Sequence, residues 1–145
     1  MDYFEDLTVG ETAEFGTYEV TADEMTSFAE QYDPQPFHTD PEAAAETPFG
    51  GLVASGWHTA SMTMRLLVDD HLSEGAVRGA LGVDDLRWRQ PVRPGDELTV
   101  RTEIVDKEDW DDENGLVSVE ITTEVDGEAV LSMVGLVLYE CRDPA

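Results

Sequence analysis

Residues 12–20, TAEFGTYEV, alternate weakly between polar and apolar side chains, the two-residue period of a half-buried strand. The period then lengthens. Met25, Phe28, Ala29 and Tyr32 recur at steps of three and four, which predicts a helix. Thr21 opens it as the N-cap of a TADE capping box with Glu24. Pro34 stops it at Asp33, because proline biases the residue before it away from the α region. Asp40-Pro41-Glu42 predicts a second, short helix over EAAAE: an N-cap, a proline at the first helical position, then an acid near the positive end. TPFGG (47–51) reads as a loop. Residues 52–68, LVASGWHTASMTMRLLV, place apolar side chains on every side of a helical wheel, which predicts a helix buried all round. Ser55, His58, Thr59, Ser61, Thr63 and Arg65 argue against a lipid span.

The second half of the chain reads as strands. GVDDLRWRQPV (82–92), DELTVRTEIVD (96–106), GLVSVEITTEV (115–125) and EAVLSMVGLVLYE (128–140) are rich in β-branched and apolar residues. The second and third alternate cleanly, so each has one wet face. Asp126-Gly127 predicts a tight hairpin. RPGDE (93–97) and the charged DKEDWDDENG (106–115) read as turns. An antiparallel sheet with one buried helix is an α+β layer architecture. No internal repeat appears, and 145 residues predict a single domain, 1–145.

Charge narrows the partners. The chain has 33 acids against 8 bases, a formal charge of −25, with acids in every third of the sequence. Such a surface repels nucleic acid and anionic membranes. Lys107 is the one lysine, and an acidic, lysine-poor surface resembles that of proteins from very salty cytoplasm, with an unusually acidic mesophilic protein as the alternative. The opening MDYFEDLTVGE, acidic rather than basic and then apolar, does not read as a signal peptide, and no apolar run reaches the roughly 20 residues of a membrane span. The single cysteine, Cys141, allows no intrachain disulfide. The expectation is a cytoplasmic protein.

The stretch YDPQPFHTDP (32–41) raises the question of chemistry. It holds Asp33 and His38 in a segment stiffened by three prolines. A helix through the interval is excluded, since Pro34 and Pro36 lack the N–H donors it needs. Fully extended, five residues would separate the α-carbons by roughly 17 Å, so the segment must bend for the side chains to meet. If they meet, a carboxylate that only accepts and an imidazole that accepts and donates can grip one water. Imidazole exchanges protons near neutral pH, which suits proton transfer. The alternative is an ordinary loop histidine beside a helix end. Asp40 reads as a helix cap.

YDPQPFHTDPEAAAETPFGGLVASGW (32–57) resembles the signature of the MaoC-like hydratases, the (R)-specific enoyl-CoA hydratases of the hot-dog fold. Their motif runs Asp-x-Asn-Pro-x-His-x-Asp, followed by a glycine-rich turn into the central helix. LRWRQPVRPGDEL (86–98) is similar to a second stretch of that family, a strand entering a Pro-x-x-x-Gly-Asp turn. The resemblance implies a hot-dog fold, an antiparallel sheet wrapped around one long buried helix. It implies hydration of a trans-2-enoyl thioester, or the reverse, with Asp33 and His38 catalytic and Gly56 binding the thioester oxygen. It implies at least a homodimer with sheets joined edge to edge. No metal and no separate cofactor is expected, coenzyme A being part of the substrate. A hot-dog thioesterase and a non-catalytic acyl-thioester-binding domain are the competing readings.

Three departures from the family pattern bear on substrate shape. Gln35 stands for the motif's asparagine, Ser55 for a histidine before the helix glycine, and Met64 where some members carry a serine. Gln35, Ser55 and Trp57 are therefore expected near the substrate, Trp57 and His58 as core or pocket lining. Arg87, Arg89 and Arg93 supply three of the eight bases within seven residues, candidates for the phosphates of coenzyme A.

Overall fold

A computed structural model describes residues 1–143; Pro144 and Ala145, the last two of the expected domain, lie outside the described residues. Five strands form one antiparallel sheet in the order β1-β3-β4-β5-β2. They are β1 (Thr12–Glu19), β2 (Val77–Trp88), β3 (Glu97–Asp109), β4 (Asn114–Val125) and β5 (Glu128–Glu140). Four helices occupy the segment between β1 and β2: α1 (Ala22–Tyr32), α2 (Pro36–Thr39), α3 (Pro41–Ala45) and α4 (Gly56–Asp70). This is the α+β, hot-dog arrangement expected from the sequence.

Local signals set several boundaries. Thr21 accepts the Glu24 N–H at the start of α1, and Asp40 accepts the Glu42 N–H at the start of α3. Asp126 (φ 51°) and Gly127 (φ 81°) make the β4–β5 hairpin, where two successive left-handed residues match the twist of the strands. The charged stretch after Asp106 is strand for three residues longer than expected. There Lys107, Glu108 and Asp109 pair with Val117, Leu116 and Gly115, so pairing overrides composition.

The central helix corrects the reading that it is buried all round. α4 begins at Gly56, after a stretch, Leu52–Ala54, without regular secondary structure. One stripe, His58, Thr59, Met62, Thr63, Leu66 and Leu67, packs into the core. The opposite stripe carries Trp57, Met64 and Val68, which are apolar yet exposed. Burial of Met62, Leu66 and Leu67 contributes about 1.5–3 kcal/mol each and seats the helix on the strands. Thr63 hydrogen-bonds Thr123 of β4 at 2.7 Å inside that interface. β2, at the sheet edge beyond β5, exposes Leu81, Val83 and Trp88.

Candidate functional site

Asp33 and His38 come together. α1 ends at Tyr32, and Asp33 is its C-cap, its N–H donating to Ala29 O. The chain bends through Pro34, and Pro36 opens the single turn α2 that carries His38. The expected absence of helix thus holds only as far as Gln35: proline is tolerated at the first helical position, where no intrahelical N–H bond is needed. His38 Nε2 lies 3.3 Å from Asp33 Oδ2, with both side chains largely buried.

The partners of each group fix its chemistry. His38 Nδ1 lies 2.7 Å from the carbonyl oxygen of Val53. A carbonyl only accepts, so Nδ1 carries the proton, and in the neutral ring Nε2 is left as an acceptor. Asp33 Oδ1 accepts from Gln35 Nε2 at 2.6 Å, and Oδ2 accepts from Ser55 Oγ at 2.7 Å. These bonds, Gln35 first and Ser55 second, hold the Asp33 carboxyl below the ordinary aspartate value; burial opposes them, and His38 adds to them when its ring is protonated. An ionised carboxylate and an imidazole lone pair therefore face one another. Two acceptors need a donor between them, and one water can donate an O–H to each.

Ser55 is fully buried and works twice. Its hydroxyl donates to Asp33 and also accepts the Trp57 N–H at 3.3 Å, capping α4. The helix expected over 52–68 put Ser55 inside it rather than at its cap, and the Asp33 contact, 22 residues away in sequence, had no signal. Gln35, an exposed residue, reaches Asp33 from within the loop.

His38 and Gly56 line one cleft of about 350 Å³, with Phe49, Trp88, Arg89 and Val130 among its other walls. Gly56 is the first residue of α4, where backbone N–H groups lack intrahelical acceptors and carry partial positive charge. The glycine also admits Trp88: a Cβ at position 56 would overlap the indole ring. Trp57 meets Trp88 edge-to-face at 5.0 Å and is 56% exposed, so among the described residues it is a surface side chain rather than core. The arginines do not act as one cluster. Arg89 lines the cleft and donates to Ser132 Oγ, Arg87 donates to Leu86 O, and Arg93 donates to Phe49 O on the cleft wall.

A second, apolar cavity of about 240 Å³ lies further along α4. Met64, Leu67, Gly82, Val83, Met133 and Gly135 are among its walls. Both cavities lie between α4 and the β5–β2 edge of the sheet. No group of three or more acidic, histidine or cysteine side chains suited to a metal occurs among the described residues. No helix among them is long and apolar enough to cross a membrane.

Known proteins resemble this chain in sequence and fold. The family model described as a MaoC like domain matches residues 5–125. A MaoC-like dehydratase from Rhodospirillum rubrum superposes with a TM-score of 0.87 at 40% identity, over 97% of each chain. The (R)-hydratase from A. caviae involved in PHA biosynthesis superposes with a TM-score of 0.74 at 26% identity, over 93% of this chain and 98% of that one. The 3-hydroxybutyryl-CoA dehydratase of Methylorubrum extorquens is 37% identical over 105 residues, 72% of this chain and 64% of the relative. With its sheet, its central helix and its matched sequence, this chain belongs to the MaoC-like dehydratase family.

Proposed function

We propose that the protein adds water across the double bond of a trans-2-enoyl thioester to give an (R)-3-hydroxyacyl thioester, or removes it in reverse. The observation that carries this reading is the Nδ1 contact of His38 with Val53 O, which leaves Nε2 an acceptor facing ionised Asp33. A site with two convergent acceptors suits a water molecule that must be both oriented and deprotonated.

In this reading the water donates one O–H to Asp33 Oδ2 and the other to His38 Nε2. Its oxygen attacks the β-carbon as its proton passes to Nε2. Charge moves to the thioester oxygen, where the Gly56 N–H stands ready; one such donor is worth about 10²–10³ in rate. The imidazolium then returns the same proton to the α-carbon. One water is consumed, both its parts enter the product, and the addition takes place on one face. His38 carries the proton because Gln35 and Ser55 weaken Asp33 as a base. Asp33 orients the water and stabilises the imidazolium.

Acyl-CoA is the substrate class. The acyl chain runs along α4 towards the apolar cavity, and Arg89 at the cleft meets the phosphates of coenzyme A. Local positive charge matters on a chain of −25, which repels a polyanion elsewhere. A second copy of the chain covers the exposed apolar residues of β2 and α4, pairing edge to edge; a sedimenting monomer at micromolar concentration would rule that out.

Crotonyl-CoA tests the reaction. Loss of enoyl absorbance without free thiol is the expected result. Thiol release would mean hydrolysis, and no change with measurable binding would mean a binding domain.

A further inference from the structure

His58 is a buried titratable group that the proposed reaction does not use. It is 3% exposed and lines a separate hollow of about 630 Å³ with Tyr18, Glu24, Phe28 and Ser61. Its Nε2 lies 3.3 Å from Glu24 Oε1. A carboxylate only accepts, so Nε2 carries the proton and Nδ1 is a lone pair; that Nδ1 is buried with no partner among the described residues. The Phe28 ring stacks on the imidazole at 4.8 Å. Tyr18 of β1 donates its hydroxyl to the same Glu24 oxygen, and burial with the adjacent carboxylate pushes the phenol up to about 12, so it stays a donor.

An apolar side chain would fill the position of His58 without leaving an acceptor unpaired in the interior. The imidazole supplies direction instead. Glu24 lies in the first turn of α1, and Asp33 caps the other end. Nine steps along the helix separate them, about 13.5 Å. The start of α4 holds both ends: Ser55 grips Asp33, and His58, one turn on, grips Glu24. The geometry points to Glu24 and His58 as positioning residues for the dyad, a strut that fixes the tilt of α1 and with it the place of the Asp33 carboxylate. This rests on the Asp33–His38 reading of the site. A misplacement of 1 Å in such a group costs on the order of 10² in rate.

Glu24 is exposed, so its variants remove no apolar packing from the core. Glu24→Ala is expected to lower kcat by about 30- to 100-fold with KM within about twofold. His58→Leu should do the same. Carbon-13 titration of Asp33 gives a readout independent of turnover: as the Ser55 bond loosens, the carboxyl pKa rises towards the ordinary aspartate value. Glu24→Gln keeps an oxygen to accept from His58 and Tyr18, and should restore both readouts. Unchanged kcat or an unchanged Asp33 titration in Glu24→Ala overturns the inference. A wild type without hydratase turnover sinks the functional reading alone. The titration then decides for the strut, a raised pKa supporting it and an unmoved one overturning it.

Discussion

Ser55→Ala removes a single buried hydroxyl and should be felt in both stability and the state of Asp33. The hydroxyl donates to an ionised carboxylate at 2.7 Å and caps α4 through the Trp57 N–H. A hydrogen bond to a charged group contributes about 1.5–3 kcal/mol, and an N-cap about 1 kcal/mol. Alanine loses both, so the expected cost is about 2.5–4 kcal/mol, a large share of the roughly 5–15 kcal/mol typical of a domain. At about 3 °C per kcal/mol for a chain of this size, Tm should fall by roughly 7–12 °C. The loss also has a pH signature. Asp33 is held below its unfolded value, so its contribution is fully present above that value and vanishes as pH falls through the lower folded one. The gap between wild type and Ser55→Ala should therefore be widest near pH 7 and narrow below about pH 4. Thermal unfolding followed by circular dichroism at both pH values measures it. A Tm within 2 °C of the wild type at pH 7, or a gap that ignores pH, would refute the reasoning.

Three further outcomes are expected. Asp33→Asn and His38→Gln should each keep the fold and lose about 10²–10⁴ in turnover, while Asp40→Asn, a change at a surface helix cap, keeps near-normal turnover; the crotonyl-CoA assay separates them. Arg89→Ala should raise KM for coenzyme A esters more than for short pantetheine esters, because only the former bring phosphates to the cleft; steady-state kinetics on both substrates checks it. Burial holds His58 and His71 below the ordinary histidine value. The unfolded chain thus binds more protons, and stability is full above about pH 6.5 and declines as pH falls. The urea midpoint should drop between pH 7.5 and pH 5.5, and drop less in His71→Gln.

Local chemistry made much of this fold legible before any coordinates. Thr21, Asp40 and the Asp126-Gly127 turn act through neighbours two to four residues away, and each sits where its spacing predicts. β2 was harder. It begins at Val77, five residues before the predicted start, because register shifts near Gly79 and Gly82 interrupt any alternation. α4 misled for a different reason: its outer stripe of Trp57, Met64 and Val68 is apolar, so a wheel cannot show which side meets the core. The Asp33–His38 approach was readable as a possibility, since prolines force the bend. What holds the pair was not. Ser55 reaches Asp33 across 22 positions and Glu24 reaches His58 across 34, and no period or motif encodes either contact.

Water activation by this pair depends on which nitrogen of His38 carries the proton. With 3 histidines in the chain, nitrogen-15 spectra of the imidazoles can be assigned ring by ring. In their neutral forms, His38 should show a protonated Nδ1 and a bare Nε2, and His58 the opposite pattern as an internal control. A proton on Nε2 of neutral His38 would point it straight at Asp33, close a direct bond between them and leave no place for the reacting water.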